Sequence, residues 1–393
     1  MSQISIGVYS DSYPDERMIL QKIPNACYVQ VHNRRENELR ALRYLGRRIP
    51  GLKDTDYYAQ RVHFTLDARF QPDVDVIHTF NRVCLRDNNR WVATFEKTFP
   101  EYFSRETKLP IKLLKQQVPL LLSDQCAALL PMSRWARDYE KWLLKLIATE
   151  EEKKAIESKM TVLYPPQQVL LEEDEIRQKY RKLDTVRILF VGGQIKRKGG
   201  IELLYALKSL DREFHNFKAV VIGDLDNEYA NFCLTQSEKQ DIKELISGAP
   251  WLEYHRKMSN QEILRYAREA HVGVLPTMGD TFGFSVLEMQ ACGCPVITTD
   301  RQTMKEINTD DCGWLLHVPD GILDSGDDFA HYSKEVVNEL SHAIRKELIA
   351  VLQPILSHPE SLEQRALNAQ KRIRLCHDPI EYGEKLLQVY QRA

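Results

Sequence analysis

The chain has 393 residues, 43% hydrophobic and 28% charged, enough for two globular domains with separate cores. Its 54 Lys and Arg against 56 Asp and Glu give a formal net charge of −2, which excludes the basic excess of a nucleic-acid binder. The opening MSQISIGVYS lacks the basic and apolar parts of a secretory leader, no run reaches the roughly 20 apolar residues of a spanning helix, and the eight cysteines form no disulfide framework, so a cytoplasmic, reduced protein is expected.

Ile4 to Tyr9 reads as a short strand, SDSYPDERM as the polar loop at its carboxyl end, and ACYVQVH as the next strand. A basic, helix-like stretch from Glu36 to Leu45 follows. Arg34, Arg35, Arg40, Arg43, Arg47, Arg48 and Lys53 cluster there, either as a solvated face or as a patch for phosphates or anionic lipid headgroups. DVDVIHTFN is a buried strand with His78, Thr79 and Asn81 at its carboxyl end. WVATFEKTFPEY repeats the scheme, with Glu96 after the strand. Strands that end in polar groups and alternate with helices predict a parallel sheet.

Ile111 to Leu146 is helical in pattern and mixes apolar runs with Lys112, Lys115, Arg134, Arg137 and Lys141. Core helices beneath a charged surface explain it; docking on a membrane surface is the alternative. TVLYPPQ reads as a strand ending in Pro165 and Pro166, and the charged segment from Glu172 to Lys182 as the interdomain linker. The expected division is a first domain over 1–170, a linker over 171–185, a second domain over 186–370, and a final helix over 371–393 packing back on the first domain.

The second domain alternates more plainly. VRILFVGG, FKAVVIGD, HVGVLPT and PVITT read as buried strands, and IELLYALKSL, QEILRYAREA and a long region from Ser333 to Leu356 as helices, giving a second doubly wound sheet. Two stretches carry chemistry. Gly192, Gly193, Lys196, Arg197, Lys198, Gly199 and Gly200 lie between a strand and a helix, where glycines admit a ligand to the backbone and cations donate to phosphate oxygens. The spacing is neither a P-loop nor a dinucleotide fingerprint, and an exposed basic turn is the plainer alternative.

The second stretch is DTFGFSVLEMQACGCPVITT, from Asp280. Ser285 and Glu288 form an S-x-x-E capping box, which predicts a helix start at Ser285, and Gly293 stops that helix. Asp280 then faces a helix N-terminus from the end of a strand, a place that suits anions, though a turn residue is the simpler reading. Glu288 either caps its helix or accepts two hydrogen bonds from a ribose diol. Cys292 and Cys294 read as small residues packing a turn, with a metal or redox pair as the alternative.

LFVGGQIKRKGGIELL together with LPTMGDTFGFSVLEMQACGCPVITTD resembles the donor half of retaining GT-B glycosyltransferases of the large family four. That family carries an E-x7-E pattern running into an Ala-Cys-Gly-x-Pro-Val-Ile segment; the resemblance covers about residues 160–316 and is loose over the first domain. It implies an α/β fold of two Rossmann-like, doubly wound domains facing across a cleft. It implies a nucleotide-diphosphate-sugar donor, a glycan or lipid-linked acceptor, retention of configuration, no metal and no cofactor. Peripheral contact with the inner face of a membrane would run through the basic first domain.

In the terms of that resemblance Arg197 and Lys198 hold the diphosphate and stabilise the leaving nucleotide, beside Gly192 and Gly193. Gly283, Phe284 and Ser285 offer backbone N–H groups, Asp280 contacts donor-sugar hydroxyls, and Glu288 binds the ribose. Base contacts are expected near Tyr254 to Met258, and His78 and Glu96 are acceptor-side candidates by position. The chain departs from the family at Asp280, where a Glu is usual, and at Gly193, where an Arg often stands. It also lacks the glycine-rich loop after the first strand and has Glu96 where many members have His. These departures keep open a non-catalytic nucleotide-sugar-binding partner, or another GT-B enzyme such as an epimerase.

Overall fold

The computed structural model describes residues 3–9, 12–35, 37, 65–68, 73–85, 90–100, 111–229, 231–318 and 332–393. Of the basic N-terminal cluster, Arg34 and Arg35 fall among these; the stretch from Glu36 to Leu45 as a helix, and Arg40, Arg43, Arg47, Arg48 and Lys53, lie outside the described residues. The chain folds as two units: Met1–Pro166 with Asp378–Ala393, and Gln167–His377.

Unit 1 contains β1 (Ser5–Val8), β2 (Cys27–Gln30), β3 (Thr65–Asp67), β4 (Val76–Phe80), β5 (Val83–Leu85), β6 (Trp91–Phe95) and β7 (Cys126–Pro131). Five of them form a parallel sheet in the order β2-β1-β4-β6-β7, and β3 pairs with β5 in a small sheet of its own. Every residue of β4 and β6 is buried, as expected of parallel strands covered on both faces. Trp91, Phe95 and Phe99 fill the core beside them.

Four expectations for this half are corrected. SDSYPDERM is not a loop but contains helix Tyr13–Met18; a proline in its first turn presets φ, and Asp15 and Glu16 suit the positive end of the helix. Ile111 to Leu146 is not helical throughout. Helices Ile111–Lys115 and Val118–Leu122 are followed by β7, then helix Arg134–Ile147, capped by Ser133 Oγ at 2.9 Å from Ala136 N–H. Periodicity cannot tell the apolar run CAALLP from a buried helix segment, whereas Pro131 and the Ser133 cap punctuate it correctly. TVLYPPQ is extended rather than a full strand: after the bridge from Met160 to Leu129, Thr161 N–H donates to Leu129 O and Leu163 N–H to Pro131 O along β7, and the chain then runs on irregularly to 170. The residues expected as a linker hold helix Glu173–Tyr180, part of unit 2, whose charged face hides Ile176 and Tyr180. Tyr180 Oη donates to the carbonyls of His271 and Gly293 at 2.8 and 2.9 Å.

The C-terminal helix, Pro379–Arg392, belongs to unit 1. Asp378 Oδ1 accepts from Ile380 and Glu381 N–H at its start, and Tyr382 Oη donates to Met18 O at 2.8 Å. Tyr390 Oη meets His78 Nδ1 at 2.6 Å, and His78 Nε2 meets Thr94 Oγ1 at 2.8 Å. His78 is therefore fully buried with both ring nitrogens engaged, and burial lowers its pKa to about 3, so the ring stays neutral. It fastens the last helix to the sheet and offers no atom to an acceptor.

Unit 2 holds a six-stranded parallel sheet built from β8 (Val186–Gln194), β9 (Phe217–Asp224), β10 (Leu252–His255), β11 (Val272–Leu275), β12 (Val296–Thr299) and β13 (Gly313–Leu316). The order is β10-β9-β8-β11-β12-β13, so the chain winds outward one way from β8 and the other way from β11. The β8–β11 junction is the topological switch point, where loops diverge and leave a crevice at the carboxyl ends. Unit 2 begins and ends at one place: Gln167 N–H donates to His377 O at 2.8 Å. Among the described residues, no helix is long and apolar enough to cross a membrane.

Candidate functional site

Two loops leave the switch point side by side, one after β8 and one after β11. The first leads through Gly199 into helix Gly200–Leu210. Gly199 has φ 79°, and a Cβ there would lie 2.2 Å from Pro276 O, so the two loops touch backbone to backbone at this glycine. Gly192 is buried beneath Lys198, 2.8 Å from a would-be Cβ to that lysine's own Cβ. Gly193 is exposed and open, with Asn227 Nδ2 at 3.7 Å as the nearest atom to such a Cβ.

The three cations of this loop divide. Lys196 Nζ lies 2.6 Å from the buried carboxylate of Glu202 and 3.3 Å from Ser341 Oγ, joining its helix to helix Lys334–Ser357. Arg197 and Lys198 turn instead to the second loop. Arg197 donates through Nη1 to Gly279 O and through Nε to Gln194 Oε1 at 2.5 Å, with its guanidinium 5.5 Å above the Tyr229 ring centre. Lys198 forms an ion pair with Asp280 Oδ2.

Asp280 is 5% exposed. Burial works against its charge, but Lys198 and Arg197 beside it outweigh that and hold the carboxyl below its usual range. Its N–H donates to Gln302 Oε1 at 2.7 Å. Thr277 Oγ1, itself buried, bridges Gly279 O and N–H at 2.9 and 3.2 Å and tightens the turn before Asp280.

The next helix, Phe284–Ala291, starts two residues earlier than the capping box predicts, with Gly283 and not Ser285 as its N-cap. Gly283 sits at φ 88°, a backbone that strains any side chain, and a Cβ there would also have to displace Met304 Cε, 2.6 Å away. Ser285 consequently falls inside the first turn. Its Oγ donates to Val191 O at 3.4 Å, and no side chain caps the helix start. The S-x-x-E box does not form, and Glu288 is not spent on it. Glu288 is 8% exposed and accepts from Asn260 Nδ2 at 3.4 Å, from the start of helix Asn260–Glu269. Cys292 and Cys294 are buried, and burial pushes their thiols up to about 11 and 12, the behaviour of packing residues.

A pocket of about 260 Å³ opens at the carboxyl ends of β9 and β10, lined by Asp224, Asp226, Lys243, Tyr254 and Arg256 among others. Tyr254 Oη donates to Gly223 O at 2.6 Å and Arg256 Nε to Asp224 Oδ2 at 3.0 Å. Arg197, Lys198, Asp280 and Glu288 are not part of its lining. Glu96, in unit 1, is half-buried after β6, with its N–H donating to Asn81 Oδ1 at 3.2 Å. Among the described residues no cluster of three His, Cys, Asp or Glu is placed to hold a metal ion.

The structure thus brings Arg197, Lys198, Asp280, Gly283 and Ser285 to one crevice and puts His78 elsewhere, in the core of unit 1. It adds Gln194, Tyr229, Asn260 and Gln302, which a reading of the sequence passes over. Gln194 and Asn260 have a signal, since each stands beside a singled-out loop or cap; Gln302 has none.

Residues 172–338 match the family described as glycosyl transferases group 1. D-inositol 3-phosphate glycosyltransferase of Arthrobacter sp. (strain FB24) is 29% identical over 117 residues, 28% of this chain and 26% of that protein. The capsular polysaccharide biosynthesis glycosyltransferase CapM of Staphylococcus aureus is 30% identical over 132 residues, 33% of this chain and 32% of that protein. The chain therefore spans about a quarter to a third of the length of these curated relatives. A solved structure of Anabaena HepE in complex with UDP and glucose aligns over 99% of this chain and 92% of that one, with a TM-score of 0.56 at 12% identity. The fold is α/β, of the GT-B class.

Proposed function

We propose, from a second unit that matches the group 1 glycosyl transferases, that the protein moves a sugar from a nucleotide-diphosphate-sugar to a hydroxyl of a glycan or lipid-linked acceptor, with retention and without a metal. The observation that carries this reading is the meeting of Arg197, Lys198 and Asp280 at the switch point, beside the helix start at Gly283. Two cations and first-turn N–H groups suit a diphosphate, whose charge grows as it departs. Glu288, buried beside Asn260, would accept from a ribose diol. The base would be taken by the pocket lined by Tyr254 and Arg256 at the carboxyl ends of β9 and β10.

In the reaction proposed, the bond from the anomeric carbon to the β-phosphate oxygen breaks and the acceptor oxygen bonds to the same face. The acceptor proton passes to the departing phosphate, and Arg197 and Lys198 stabilise the charge left there. Asp280, kept ionised by Lys198, accepts from donor-sugar hydroxyls. A thermal-shift screen against UDP, GDP, ADP and their sugars tests the reading: a ligand at a hundred times its Kd adds about 2.7 kcal/mol. No shift with any of them would sink it. Binding without release of nucleoside diphosphate in acceptor-containing extract would favour a non-catalytic binding partner instead.

Lipid contact is part of the proposal. On helix Arg134–Ile147, Trp142 and Leu146 are 39% and 44% exposed, one turn apart and flanked by Lys141 and Lys145. The full-length protein should sediment with phosphatidylglycerol vesicles and not with phosphatidylcholine ones. Trp142→Ala with Lys145→Glu should lower the bound fraction by about tenfold; equal sedimentation of variant and parent would end this part of the reading.

A further inference from the structure

We propose that Gln302 is a positioning residue for the donor sugar, setting where Asp280 presents its carboxylate; this deepens, and rests on, the reading of the crevice as a nucleotide-sugar site. Gln302 lies between β12 and helix Met304–Ile307, 2% exposed, with φ 49°. A long side chain in the left-handed region is held there only when its surroundings over-determine it. A hydrogen bond from Asp280 N–H to its Oε1 at 2.7 Å ties it to the loop after β11.

It does not act alone. Thr303 Oγ1 donates to Thr281 O and Thr299 Oγ1 to Thr277 O, each at 2.7 Å. Three side chains of 299–303 thus grip three backbone groups of 277–281. The grip matters because aspartate is short. Its carboxylate can move little relative to its own backbone, so backbone placement decides what the oxygens reach. Lys198 has a long flexible stem and follows Asp280 wherever it goes, and Arg197 is held through Gln194 and Gly279. Sugar contact and diphosphate holding are therefore separable, and Gln302 acts on the first.

Two variants test this. Gln302→Gly adopts a positive φ without strain and removes the acceptor, whereas Gln302→Asn tolerates a positive φ and keeps a neutral amide acceptor, one methylene shorter. In Gln302→Gly, hydrogen exchange at the Asp280 amide should speed up by about tenfold while Phe284–Ala291 exchanges as before. Affinity for UDP, GDP or ADP, whichever the parent binds, should stay within about twofold. Turnover of the accepted sugar donor should fall by about tenfold or more, with weaker discrimination among sugars on that nucleotide. Gln302→Asn should recover part of both.

Unchanged exchange at Asp280 would overturn the proposal. So would a parallel loss of nucleoside diphosphate affinity and turnover, the mark of general loosening. A parent that binds no nucleoside diphosphate removes the functional reading as well. A parent that binds and turns over donor, with selectivity unaltered in Gln302→Gly, removes this inference alone.

Discussion

Lys198→Ala should lower nucleoside diphosphate affinity by about a hundredfold and destabilise the protein by about 3 kcal/mol at neutral pH. The first effect follows from removing one of two cations that reach the crevice, since Lys196 is committed to Glu202. The second arises in the empty protein. Asp280, 5% exposed, would keep its burial and lose the nearest charge that offsets it. Arg197 remains, but its donors are directed to Gly279 O and Gln194.

The pH dependence has a definite sign. In the parent, the carboxyl of Asp280 titrates below its usual range, so it contributes stability above the unfolded value that is lost as pH falls through the folded one. In the variant, burial dominates and protonation relieves it. The stability gap between the two should narrow as pH drops through the carboxylate range. Calorimetry with UDP, GDP and ADP and thermal unfolding at neutral and acid pH measure both effects. Unchanged diphosphate affinity would remove the phosphate-loop assignment.

Gly199→Ala should cost about 3 kcal/mol or more, a fall in Tm of about 10 °C for a unit of this size. Two independent features make it severe. The backbone sits at φ 79°, and the added Cβ would stand 2.2 Å from Pro276 O, a backbone atom that cannot rotate away. To relieve the clash the loops after β8 and β11 must part, which also separates Arg197 and Lys198 from Gly279 and Asp280. Gly193→Ala provides the control, because its nearest neighbour would be 3.7 Å away. Equal melting of Gly199→Ala and Gly193→Ala would refute the steric account.

The legibility of this chain follows from where its signals are local. The strands of unit 2 read clearly because runs such as ILF and VGVL are continuously apolar and buried, and the turn glycines sit at their ends. The crevice read clearly because its cations, glycines and carboxylates are clustered in two short segments. β7 was hidden because six apolar residues between helices have no period of their own. The linker was misplaced because Ile176 and Tyr180, one turn apart, are a minority in a charged stretch. The capping box misled because the pattern is satisfied by residue type, while Gly283 alone can adopt the backbone the helix start needs. His78 looked like a strand-end ligand because its partner Tyr390 is 312 positions away. Gln302 is invisible for the same reason: its role is a backbone angle and a contact across 22 residues.

The hydrogen bond from Gln167 to His377 makes unit 2 an insertion into unit 1. Its two ends leave from one spot, the geometry that domain exchange and circular permutation require, so residues Gln167–His377 are laid out as a cassette. Unit 1 has no such layout. Residues Gln167–His377 are synthesised before helix Pro379–Arg392, so Tyr390 can reach His78 only after the whole of unit 2 has been made.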